Sequence, residues 1–334
     1  MTENPMMSDG LVTLPDIVAA AGRIEGIALR TPLLPFPELS EEVGGEVRLK
    51  CESLQRTGAF KIRGAYNFIS QLSEEDLAGG VITYSSGNHA QATALAARLK
   101  GTRAVVVMPT TAPAVKVEGA KRLGAEVHFE GTLSHHRQAR AEEMAKEQGL
   151  TIVPPYDHPW IIAGQGTVGL EILETWHQVD TVLVPVGGGG LSSGVSAVVK
   201  ALRPDVRFVG VEPQGAPRMT EALKAGQPVT LKHVDTVADG LRTVRAGDLT
   251  FRHVLQHFDE VVMVPDEAIV QAAALLLTRR RLVVEVSGAI ALGALLAGVV
   301  DPKGRRMAVV LSGGNLDPST MESLAQGTFP GLEA

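Results

Sequence analysis

The chain has 334 residues, 45% of them hydrophobic and 20% charged, with a formal net charge of −6. That length supports two domains or one large two-lobed one, and its acids and bases are mixed, so no nucleic-acid footprint and no membrane-surface patch is expected. Cys51 is the only cysteine, which excludes an internal disulfide and a cysteine metal site and fits a reducing compartment. Met1 to Gly10 is polar and acidic, and no apolar run reaches the ~20 residues of a membrane span, so a cytoplasmic protein with small-molecule partners is expected.

In chain order, Ile17 to Ile24 reads as a helix, Pro32 and Pro35 break the chain, and Glu46 to Glu52 alternates as a strand. A helix follows from about Arg63 to Leu72. Short apolar runs then predict strands at Val81 to Tyr84, Ala104 to Met108, Glu126 to Phe129 and Thr151 to Val153. Helical patterns separate them at Ala90 to Leu99, Ala114 to Leu123 and Gln138 to Gln148. A second series has strands at Thr181 to Val186, Arg207 to Val211, Val261 to Val264 and Met307 to Leu311, with helices at Leu191 to Leu202, Glu267 to Arg280 and Ala289 to Leu296. Such alternation predicts an α/β protein of two open parallel-sheet lobes. Pro154, Pro155 and Pro159 mark the return crossing, so the small domain is placed at 80–156 and the large one at 1–79 with 157–334.

Four stretches carry chemistry. In Thr57 to Ala65, Lys61 lies between Phe60 and Ile62 with small residues around them, an apolar setting that would lower its pKa and free the amine to form a Schiff base. Read singly, Lys61 also fits a lysine whose stem lies on apolar surface with its head in water. Gly187, Gly188, Gly189 and Gly190 stand between a strand and a helix, where amides and the helix dipole form a phosphate cup, although a plain flexible turn has the same residues. No Gly-Lys-Ser/Thr follows, which excludes a P-loop, and the dinucleotide fingerprint fails in every register although Glu212 stands where a ribose-binding acid belongs.

Ser85, Ser86, Gly87, Asn88 and His89 form a turn before a helix, a cradle for a carboxylate or simply a helix cap. Ser312, Gly313, Gly314 and Asn315 place a neutral hydroxyl after the last strand. A lysine, a monophosphate cup and a hydroxyl turn together suit pyridoxal 5′-phosphate, and the cradle suits an amino-acid substrate.

On these motifs the chain resembles the threonine dehydratase and serine racemase family of fold type II pyridoxal-phosphate enzymes, a tryptophan synthase β-like fold, from about Leu14 to Pro318. The resemblance implies that Lys61 carries the cofactor as a Schiff base, Phe60 lies against its ring, and Asn88 bonds its hydroxyl. It implies that Gly187 to Gly190 and Leu191 hold the phosphate, that Ser312 meets the ring nitrogen, and that Glu285 is a site-facing acid. Ile162 to Thr167 and Ala238 to Gly240 are also similar to family segments. Ser86 matches the serine that racemases of the group use as a base on the second face of the substrate.

Some relatives hold a divalent cation with an acid, a backbone carbonyl and a second acid. Glu212 and Ala216 match the first two, while Arg218 stands in place of the second acid and departs from that set. His135 and His136 lie near where relatives favouring acidic substrates carry arginine, and they also read as surface histidines. The sequence runs fewer than twenty residues beyond Asn315, so no regulatory tail domain like that of the feedback-inhibited dehydratases is expected, and the resemblance implies a homodimer or homotetramer. The expected reaction is β-elimination from L-threonine, then L-serine, to a keto acid and ammonia. Its rivals are serine racemase activity with elimination on the side, a dinucleotide-dependent oxidoreductase, and a non-catalytic ligand-binding protein.

Overall fold

Runs of valine, leucine and isoleucine become strands here because branched side chains fill a pleated surface that is buried on both faces. The computed structural model describes residues 10–329 apart from Ser86, Pro113 and Leu133. Its strands are β1 (Leu33–Pro35), β2 (Glu46–Cys51), β3 (Val81–Tyr84), β4 (Ala104–Met108), β5 (Glu126–Phe129), β6 (Thr151–Ile152), β7 (Thr181–Pro185), β8 (Arg207–Pro213), β9 (Glu260–Val264) and β10 (Arg306–Leu311).

The large sheet has the order β1-β2-β10-β7-β8-β9 and the small one β5-β4-β3-β6. Every pairing is parallel except that of β1 with β2. Ile17, Ile162, Val168 and Val195 from three helices pack one face of the large sheet, and Ile269, Ala272, Val286 and Ile290 pack the other. The small sheet is likewise covered on two sides, by Ala90 to Ala97 and by Ala141 and Met144. The α/β architecture with parallel sheets is thus as expected.

Several elements differ from the sequence reading. The helix expected from Arg63 begins at Lys61 and ends at Ile69. Pro159, expected only to mark the return crossing, opens the helix Pro159–Thr175, at the first turn where a missing N–H costs nothing, and His158 caps it by accepting from Trp160 N at 3.1 Å. This helix is buried on nearly every face, so it has no polar stripe from which a helical period could be read. The Pro32 to Pro35 stretch contains the edge strand β1, where a proline lacking a donor is tolerated.

Strand order positions the site. The lead to Lys61 follows β2, the Ser312 turn follows β10, the glycine turn follows β7 and the Glu212 segment ends β8. These are consecutive parallel neighbours, so all four come out on one edge, where ligands bind in open α/β sheets.

Candidate active site

Lys61 opens its helix with Ile62, Ala65 and Phe68 of the same helix buried in the small-sheet cluster. Its Nζ donates to Pro155 O at 2.7 Å and lies 5.1 Å from the centre of the Phe60 ring. Loss of hydration pulls the amine down to about 8. Phe60 N in turn donates to Ser312 O at 3.2 Å, and Ala59 bridges to Gly313, so the lysine lead is stitched to the Ser312 turn through the backbone. Ser312 is 8% exposed, and its hydroxyl has no hydrogen bond among the described residues.

Two asparagines and an acid close this side. Asn315 Nδ2 donates to Thr57 O at 2.7 Å and to Asn88 Oδ1 at 2.8 Å, while Asn88 Nδ2 donates to Glu285 Oε1 at 2.6 Å. Glu285 N completes the loop by donating to Gly313 O at 3.0 Å. Burial pushes the Glu285 carboxyl up to about 7, against the hydrogen bond from Asn88. A cavity of about 360 Å³ opens beside Glu285, Asn315, Lys116 and Asp239; Lys61 and the glycine turn do not line it.

The glycine turn meets Lys61 through the segment Pro155–Tyr156. Pro155 accepts from Lys61, and the next residue lays its ring on Gly188, where any Cβ would run into it. Gly189 has φ +100° and leads into the helix Gly190–Leu202. Packing on Tyr156 and a left-handed backbone therefore account for two of the glycines, a reason for them that operates alongside ligand binding. The amides of Gly187, Gly188, Gly189 and Gly190 donate to no acceptor among the described residues, and Leu191 follows in the first turn of the helix. Free amides at a helix N-terminus, an enclosed amine and an unpartnered hydroxyl fit a phosphorylated aldehyde that carries a ring nitrogen.

The turn from Ser85 to His89, expected to cradle a carboxylate, is described apart from Ser86. Ser85 N donates to Val107 O at 3.2 Å, Gly87 N reaches Ser85 Oγ at 3.4 Å, and Asn88 starts the helix Asn88–Lys100. Ser86 lies outside the described residues. His89 is buried, with Nε2 at 3.1 Å from Val153 O and Nδ1 unpartnered; desolvation and then the Lys61 charge pull it down to about 3, so the imidazole is neutral and donates to the small lobe.

The cation ligands implied for Glu212 and Ala216 are not free. Glu212 accepts from Met219 N at 2.9 Å and Thr220 N at 2.8 Å, Ala216 O accepts from Arg218, and no cluster of three acids, histidines or cysteines that could hold a metal occurs among the described residues. These residues do not fit a divalent ion. Nor does the buried Glu212 offer a carboxylate to a ribose. His135 and His136 are exposed on the helix Ser134–Gln148 and meet edge to face, 4.3 Å between ring centres. Sequence reading missed Tyr156 and gave no role to Asn315. Asn315 was legible as part of its turn, whereas nothing in the local pattern marks Tyr156.

The chain matches the family described as "Pyridoxal-phosphate dependent enzyme" over residues 24–313. It is 43% identical to the L-threonine ammonia-lyase of Thermotoga maritima over 94% of this chain and 78% of that protein. It is 39% identical to an L-threo-3-hydroxyaspartate ammonia-lyase from Pseudomonas sp, over 93% and 98%. The solved structure of maize serine racemase superposes with a TM-score of 0.90 at 38% identity, covering 95% of this chain and 98% of that one. With the parallel sheets, the enclosed lysine and the free glycine amides already in place, these matches settle the family: the chain belongs to the fold type II pyridoxal-phosphate dependent enzymes, in their ammonia-lyase and racemase group.

Proposed function

We propose that this enzyme is a threonine ammonia-lyase that eliminates the β-hydroxyl of L-threonine, and more slowly of L-serine, to give 2-oxobutanoate or pyruvate with ammonia. The observation that carries the chemistry is the Lys61 amine, enclosed beside Pro155 and held near a pKa of about 8. Bound pyridoxal phosphate supplies an aldehyde for amines and a ring that takes up the electron pair left when the α-proton departs.

Lys61 would hold the cofactor through its Nζ, and the same amine, when free, would accept the α-proton of the substrate. The amides of Gly187 to Gly190 bind the phosphate, with Leu191 behind them. Phe60, whose ring lies 5.1 Å from Lys61 Nζ, would pack against the cofactor ring. Asn88, its amide already oriented by Asn315 and Glu285, meets the ring hydroxyl. Ser312 would offer the ring nitrogen a neutral hydroxyl in place of a carboxylate, a pairing that would favour elimination over transamination. The Ser85 to His89 loop orients the substrate carboxylate at the start of the helix Asn88–Lys100.

The kinship with the Thermotoga lyase supports threonine, and Arg218 in place of a second acid counts against the cation-bound racemases. Keto-acid release from threonine, serine and 3-hydroxyaspartate tests the reading. Threonine should give the highest kcat/KM, and a preference for 3-hydroxyaspartate of tenfold or more would replace it, an outcome the Pseudomonas relative makes worth including. Borohydride reduction should leave the pyridoxyl label on Lys61 and on no other lysine.

The superposition on maize serine racemase favours a second reading, racemisation with elimination on the side. Chiral analysis of serine separates the two. In a lyase Ser86→Ala weakens binding more than turnover, while in a racemase it removes interconversion alone.

A further inference from the structure

Arg218 is 0% exposed and is the first residue of the helix Arg218–Ala225. A guanidinium there has lost its hydration and faces the positive end of the helix dipole, two costs that need an offset. The charge of the buried Glu212 carboxylate supplies part of it, and backbone carbonyls the rest. Nη1 donates to Val186 O at 2.8 Å, Nη2 to Leu241 O at 2.7 Å, and Nη2 also to Ala216 O.

Those three carbonyls come from three segments that meet behind the glycine turn. Val186 directly precedes Gly187, and Leu241 Cδ2 lies 3.3 Å from where a Cβ on Gly187 would stand. Ala216 belongs to the turn after β8. Converging carbonyl dipoles repel one another unless a positive charge sits between them. Glu212 has each oxygen bonded to an amide, of Met219 and of Thr220, and its charge already interacts with the Arg218 guanidinium.

We propose that Arg218 is a positioning residue whose guanidinium serves as a tethered internal cation. It gathers the carbonyls of Val186, Ala216 and Leu241, keeps the amides of Gly187 to Gly190 aimed at the phosphate, and makes the enzyme independent of divalent cations. This rests on the reading of the glycine turn as a phosphate cup.

The test uses the holoenzyme. After EDTA treatment, millimolar Mg²⁺, Mn²⁺ or Ca²⁺ should leave the melting temperature and the dissociation constant for pyridoxal phosphate unchanged; a melting temperature that falls with EDTA and recovers with Mg²⁺ overturns the proposal. Arg218→Ala should weaken cofactor binding about tenfold or more, with part of the loss recovered by added guanidinium ion, and an unchanged constant also overturns it. Should Arg218→Ala not fold, Arg218→Lys keeps the charge but replaces a planar fork with a single donor atom, and it should bind the cofactor more weakly than wild type. A lysine variant equal to wild type counts against the gathering of carbonyls. Wild type that binds no pyridoxal phosphate defeats the functional reading instead, and the melting temperatures with and without Mg²⁺ still decide on the internal cation.

Discussion

Asn315 and Asn88, separated by 227 positions in the chain, join through Nδ2 and Oδ1 at 2.8 Å, tying the turn after β10 of the large sheet to the helix after β3 of the small one. Asn315 Nδ2 also holds Thr57 O, so one amide links the lysine lead, the hydroxyl turn and the cradle helix. Asn315→Ala leaves Asn88 Oδ1 and Thr57 O without this donor. The expected cost is about 1–3 kcal/mol of stability and roughly tenfold in cofactor affinity. Thermal melts and a pyridoxal phosphate titration measure both, and a variant that binds as wild type does would show that the link is dispensable.

Lys61 should be a burden on the cofactor-free protein. Its amine ionises near 8 in the fold against an ordinary 10.5, so between those values the unfolded chain binds more protons, and stability rises with pH there. Below about 8 the burial cost is fully present. Lys61→Met should therefore raise the melting temperature of the apoenzyme at pH 7 by at least about 2 °C, with the advantage shrinking above pH 8. Equal melting curves at pH 7 would contradict the enclosed, charged amine.

Glu285 gives the opposite trend. Its carboxyl titrates near 7 in the fold against 4.5, so the folded apoenzyme binds more protons than the unfolded chain across that window. Stability is lost as pH rises through it, by on the order of 3 kcal/mol in all. Glu285→Gln, which keeps an oxygen for Asn88 Nδ2, should flatten this fall between pH 5 and pH 7.5. An unaltered pH profile would assign the ionisation elsewhere.

Arg63 is 1% exposed and lies between two carboxylates. It donates to Glu52 Oε1 and Oε2 at 2.8 Å and to Glu171 Oε1 at 2.6 Å, while Lys50 pairs with Glu171 and donates to Thr31 O at 2.6 Å. Removing one partner of such a buried network leaves charge uncompensated. Arg63→Met should cost about 3–5 kcal/mol, and Arg63→Lys, without the planar fork, should recover only part of it in denaturant titrations.

Local features were legible in the sequence because they depend on near neighbours. Valine runs determine strands, glycines and a strand end determine the turn at 187 to 190, and the apolar flanks of Lys61 announce an amine with lowered pKa. The candidate site motifs could be read because each is a short continuous stretch at a strand end. Tertiary structure alone decided which groups those stretches face. Tyr156 covers Gly188, Asn315 reaches Asn88, and Arg218 collects carbonyls of Val186 and Leu241 through contacts whose distance along the chain leaves no periodic trace. The helix Pro159–Thr175 stayed hidden for a related reason: buried almost all round, it shows no contrast between a wet and a dry face, and only packing between the sheets reveals it.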